Sequence, residues 1–168
     1  RSKKFTHYFH DPADKKSIGH NVIFALEKDS AGFIWITTMG GGLSRLDPAK
    51  DEFVNYLHDP ENEYSIITNR TRCIKIENEN NIWIGSDGGG IIRFDPLEEK
   101  FYNYKHLTDN LSGISSNIIM TLFIDSSGNI WAGTVGGGLN KYEREKDNFR
   151  KFDRRDGLPN DTIMGILE

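Results

Sequence analysis

Short apolar runs, each of strand length, follow one another along the whole chain, with Gly, Asp, Asn or Pro between them. The clearest unit starts with the run from Asn117 to Phe123. The turn Asp125-Ser126-Ser127-Gly128 leads into Asn129–Thr134, a glycine turn leads into Leu139–Tyr142, and a charged turn leads into Phe149–Phe152. This pattern predicts four strands. No window keeps an apolar period of 3.6 long enough to predict a helix.

The unit recurs. Trp35, Trp83 and Trp131 lie 48 residues apart, and so do the glycine triplets that begin at Gly40, Gly88 and Gly136. Phe5, Phe53, Phe101 and Phe149 keep the same spacing, as do Tyr8, Tyr56, Tyr104 and Phe152, and Asn21, Asn69 and Asn117. A fixed period of this length with four strands per unit predicts the blades of a β-propeller. The strands of a blade are lettered A to D from the central axis outward. The expected fold is all-β: a partial β-propeller with three complete four-stranded antiparallel blades at about 17–57, 65–105 and 113–153. A terminal D strand (5–9) and a terminal A strand (162–167) complete it. Residues 1–168 read as a single propeller segment, expected to be cut from a longer chain, because closed rings need four or more blades.

Composition changes this picture little. The 21 Lys and Arg against 25 Asp and Glu give a net charge of -4. No five like charges adjoin, so no nucleic-acid partner is expected. Cys73 is the single cysteine, which excludes an internal disulfide. No apolar stretch is long enough to span a membrane, and Arg1 to Lys4 are not followed by the apolar core of a leader.

Most residues that invite a chemical reading have a structural one. The triglycines lack the Gly-Lys-Ser/Thr and the helix of a phosphate loop, and read as B-to-C turns. Asp29 and Asp125 open Asp-x-x-Gly turns without the further carboxylates of a calcium loop. His10, His58 and His106 share a column in the D-to-A loops, with no zinc-binding spacing. The tryptophans recur in every blade, as inter-blade packing demands. No metal, cofactor or catalytic residue is therefore expected. The departure from the repeat lies in the second A strand. It reads Arg70-Thr71-Arg72, where its siblings read Val22-Ile23-Phe24 and Ile118-Ile119-Met120. Two arginines at i and i+2 on a strand share one face, and must be paired, solvated or ligand-bound. Arg70 and Arg72, with Asn69 and His58 from the neighbouring loop, form the candidate ligand site.

The stretch Asn81-Ile82-Trp83-Ile84-Gly85-Ser86, with Gly88–Gly90, Arg93-Phe94-Asp95-Pro96, Phe101 and Tyr104, resembles the two-component regulator propeller repeat. Thr37, Ala132 and Glu143 depart from its pattern, where Gly, Ile and Asp would stand. The resemblance implies the extracytoplasmic, periplasmic or cell-surface, sensor region of a bacterial hybrid histidine kinase. On that basis the segment is expected to be non-catalytic and to help sense an oligosaccharide-like ligand. A passive interaction scaffold is the alternative, and a propeller lyase or hydrolase the more distant one. Expected partners are an oligosaccharide or other small ligand and further blades of the parent chain. The apolar blade faces also predict self-association of the isolated segment.

Overall fold

The computed structural model describes residues 5–107 and 113–168. Twelve strands form three four-stranded antiparallel sheets, each a blade in simple up-and-down order. Blade 1 is β1 (Ile23–Lys28), β2 (Ile34–Thr38), β3 (Leu43–Asp47) and β4 (Glu52–Tyr56). Blade 2 is β5 (Thr71–Asn78), β6 (Asn81–Ser86), β7 (Ile91–Asp95) and β8 (Lys100–Tyr104). Blade 3 is β9 (Ile119–Ile124), β10 (Ile130–Thr134), β11 (Leu139–Glu143) and β12 (Asn148–Phe152). The expected all-β blade architecture is what the chain adopts. Two short 3-10 turns, Arg144–Lys146 and Arg154–Asp156, are the helical pieces among the described residues.

The cores lie between blades. One joins Trp35 and Leu43 of blade 1 to Ile66, Ile74, Ile84 and Phe94 of blade 2 and its leading loop. The next joins Trp83 and Ile91 of blade 2 to Ile114, Ile119, Leu122 and Tyr142 of blade 3 and its loop. Trp83 is wholly buried, packed against Tyr142 with ring centroids 4.7 Å apart. Trp35 and Trp83 therefore do the inter-blade packing that the repetition suggested. Each indole N–H donates to the acid six residues earlier: Trp35 to Asp29, Trp83 to Glu77 and Trp131 to Asp125, all at 2.8 Å. The Trp131 bond, with those from Asn129, holds the Asp125 carboxyl down at about 2. Blade 1 turns its other face, Ile36, Leu46 and Phe53, to a cluster with no second blade, and Leu26 of β1 stands 63% exposed.

The two terminal segments occupy strand positions without strand ladders. Residues 5–9 and 162–167 belong to none of the three sheets. Their side chains still keep the repeat. Tyr8 packs edge-on to Phe53 at 5.2 Å, as Tyr104 packs on Phe149 at 5.3 Å. Ile163 donates its N–H to the Thr134 carbonyl at 2.9 Å. The sequence reading of Arg1–Lys4 as no leader, and the centre of the loop before blade 3, lie outside the described residues.

The third glycine of each triplet is required by geometry. Gly42, Gly90 and Gly138 have φ of 64°, 79° and 76°. A Cβ on any of them would come within 2.2 Å of the carbonyl oxygen of Tyr56, Tyr104 or Phe152. A hydroxyl from the end of strand B braces each turn: Thr38, Ser86 and Thr134 donate to the carbonyls of Gly42, Gly90 and Gly138.

Candidate functional site

The D-to-A loops and the triglycine turns meet on one face of the blades. The Asn69 carbonyl accepts from Gly42 N–H, and the Asn117 carbonyl from Gly90 N–H, at 2.9 and 3.0 Å. Within each loop a histidine and an asparagine close a tie. His58 Nδ1 bonds the Ile66 carbonyl at 2.9 Å, and its backbone N–H donates to Asn69 Oδ1 at 2.7 Å. His10 with Ile18 and Asn21, and His106 with Ile114 and Asn117, repeat both bonds. Arg154 stands in the histidine column of the fourth copy and donates its backbone N–H to Asp161 Oδ1 at 2.9 Å. His58 Nδ1 and Asn69 Oδ1 are thus engaged in holding the loop, and these two residues border the site.

Arg70 and Arg72 are brought together as expected, though not by regular strand alternation. Each A strand carries a β-bulge near its start. The register steps from Ile23 to Ala25, from Thr71 to Cys73 and from Ile119 to Thr121. The extra residue is Phe24 in blade 1, Arg72 in blade 2 and Met120 in blade 3. A bulge re-aims the side chain it carries, so Arg72 occupies a position released from the ladder near the start of its strand. Arg70 lies just before β5, in an isolated bridge to Met39.

Both guanidinium groups face one carboxylate, that of Asp87. Arg70 Nη2 lies 2.5 Å from Asp87 Oδ2 and Arg72 Nη2 lies 3.9 Å from it. The Arg72 guanidinium sits over the Phe24 ring, 5.1 Å from its centroid, a favourable place for a cation. Its Nε is buried and, among the described residues, has no hydrogen-bond partner. Two cations on one anion leave a net positive charge and spare N–H donors, a composition suited to carboxylate, sulfate or hydroxyl oxygens.

Sequence reasoning missed Asp87. Its column reads Met39, Asp87 and Val135, so a charge stands between two apolar siblings, as with Arg70 and Arg72. Comparing that column would have found it. Nearby Cys73 is packed against Gly85, and burial pushes its thiol up to about 12. It stays protonated and unreactive near neutral pH.

The two-component regulator propeller family matches residues 17–40 and 113–136. Those two stretches are similar to two-component regulator propeller repeats. The two matched stretches run through strands A and B of blades 1 and 3, and the corresponding stretch of blade 2 holds the Arg70, Arg72 and Asp87 departures. No curated protein matches this chain in sequence. Among solved structures, the chain is similar to an extracellular domain ascribed to a one-component system of B. thetaiotaomicron. Identity is 28% with a TM-score of 0.69, covering 88% of this chain and 21% of that one. A second extracellular domain, ascribed to a hybrid two-component system of the same organism, is 20% identical with a TM-score of 0.70. It covers 86% of this chain and 18% of that one, and at this identity shares the fold alone. Virginiamycin B lyase from Staphylococcus aureus, 16% identical, likewise shares only the fold, with a TM-score of 0.60 over 83% of this chain and 42% of its own. The chain spans about a fifth of the two extracellular domains. No helix among its described residues is long and apolar enough to cross a membrane.

Proposed function

We propose that this segment is the non-catalytic, ligand-contacting part of an extracytoplasmic sensor propeller in a two-component receptor, and that Arg70 and Arg72 hold an anionic or hydroxyl-rich ligand such as an acidic oligosaccharide. One observation carries the reading. Three columns that are apolar in blades 1 and 3 become charged together in blade 2, and the charged side chains converge near the axis. A fold-preserving repeat has no packing need for such a change, since Val22, Phe24 and Met39 fill the same places in blade 1. The extracellular setting of the similar domains supports the location.

The test replaces both arginines, as Arg70→Gln with Arg72→Gln, and titrates the chain with sulfated and uronate oligosaccharides and their neutral counterparts. Calorimetry reads binding and thermal unfolding reads stability. Binding that prefers the acidic series, weakens with salt and disappears in the double variant at unchanged Tm is the expected result. Unchanged binding with a lowered Tm would reduce the cluster to a structural ion pair. The exposed row Ile23, Phe24 and Leu26 on β1 favours a second role as a packing surface, for a further blade or a second copy. Light scattering across concentration checks that role.

A further inference from the structure

On the face opposite the triglycine turns, a cleft of about 560 Å³ opens between blades 1 and 2. Phe33 and Trp35 line one side, Pro96 and Leu97 the other, and Asp29 and Glu79 are its carboxylates not already held by a neighbouring lysine or arginine. The repeat supplies an internal comparison, because the corresponding gap between blades 2 and 3 is bridged by Arg144. Its Nη1 lies 2.7 Å from Glu77 Oε1 across the blade boundary, and its Nη2 donates to the Gly128 carbonyl at 2.8 Å. Glu77 keeps its other oxygen on the Trp83 indole N–H.

One blade back, the acid and its tryptophan have counterparts and the cation does not, and the second oxygen of the acid accepts from the Phe33 N–H at 2.9 Å. Asp29 stands for Glu77 and likewise holds its tryptophan, Trp35, at 2.8 Å. Asn80 stands for Gly128. Pro96 stands for Arg144 and carries neither charge nor donor. Blade 2 instead adds a carboxylate at the rim, Glu79, where blade 1 has Ala31 and blade 3 has Ser127. Arg45 also lines the cleft, but its guanidinium lies over the rings of Phe33 and Trp35, at 4.6 and 5.6 Å. Lys28 is the remaining cation of the lining. The gap therefore lacks the cross-blade guanidinium that its neighbour holds, and has gained an acid.

We infer that this cleft receives an arginine side chain from a partner polypeptide, which takes the place that Arg144 fills one blade along. A planar guanidinium fits because it can span a carboxylate on one blade and a backbone carbonyl on the next with parallel N–H donors. The site is independent of the Arg70 cluster and does not rest on the ligand proposed there.

The experiment titrates the chain with N-acetyl-arginine amide and, as the neutral isostere, N-acetyl-citrulline amide, following the three indole N–H signals by NMR. The Trp35 signal should move with the arginine compound while Trp83 and Trp131 stay in place. Citrulline should bind about ten-fold more weakly, the loss of one charge-assisted interaction. Pro96→Arg should place a guanidinium in the cleft from within the chain, raise Tm and abolish the Trp35 response. Glu79→Gln, an exposed change that leaves folding untouched, should weaken binding several-fold. Equal responses to arginine and citrulline, a response that survives Pro96→Arg in a folded chain, or no movement of the Trp35 signal would each overturn the assignment.

Discussion

Thr37, Gly85 and Gly133 occupy one position of strand B, and their neighbours adjust to them. A Cβ on Gly85 would meet Cys73 Sγ at 2.4 Å and Ile119 Cγ2 at 2.6 Å. On Gly133 it would meet Thr121 and Ile163 Cγ2, each at 2.7 Å. Blade 1 makes room differently: Thr37 pairs across the sheet with Ala25, and the position held elsewhere by Ile119 and Ile163 is Thr71. The filled volume is shared between the blades, as close packing requires. Gly85→Ala should therefore destabilise the chain by about 1–3 kcal/mol through overpacking. Cys73→Ala in the same chain should restore part of that loss. Urea unfolding of the two single variants and the double would show this as a coupling between them. The sequence displayed Thr37 as a mild departure from the repeat. Its meaning was hidden because its compensating partners, Ala25 and Thr71, lie in other strands.

At the scale of the element, the turn between strands C and D is tied to the blade before it. Tyr104 donates its hydroxyl to Asp147 at 2.6 Å, and Tyr8 donates to Asp51 at 2.5 Å. Burial, with the Asp147 bond, raises the Tyr104 phenol well above its usual range, so the hydroxyl stays a donor. Asp51, Glu99 and Asp147 all have positive φ, of 60°, 51° and 49°. Aspartate tolerates that region better than glutamate does. Tyr56 and Glu99, the middle pair of the series, are not hydrogen-bonded to each other. Glu99→Asp should create the missing bond and relax the turn, for a gain of about 0.5–1.5 kcal/mol in unfolding free energy. Chemical denaturation that shows no gain would mean that Tyr56 cannot reach the shorter side chain. Strand order and turn positions were legible in the sequence because period and glycine placement are local signals. The bulges at Phe24, Arg72 and Met120 were not, since a bulge is a relation between two strands. For the same reason the two arginines were recognised as a pair while their shared partner, Asp87, was overlooked.

For the molecule as a whole, stability resides in the seams between blades, and each blade meets only its neighbours. Trp35 and Trp83 lie in seams filled from both sides, whereas Trp131 is half-buried and packs against Phe152 of its own blade at 6.0 Å. Trp35→Ala and Trp83→Ala should each cost about 3–5 kcal/mol, and Trp131→Ala clearly less. Unfolding curves of the three variants under one condition test that order. Equal losses would mean that the tryptophans stabilise their own sheets rather than the seams. The shared volumes at the seams also bear on how such a chain can change by rearrangement. Blades that look interchangeable along the sequence are addressed to particular neighbours. Setting blade 3 directly after blade 1 would drive Ile119 against Thr37, and moving blade 2 behind blade 3 would leave Thr71 facing the space beside Gly133. Duplication can lengthen this array, but shuffling its units is barred until both sides of a seam are rewritten together.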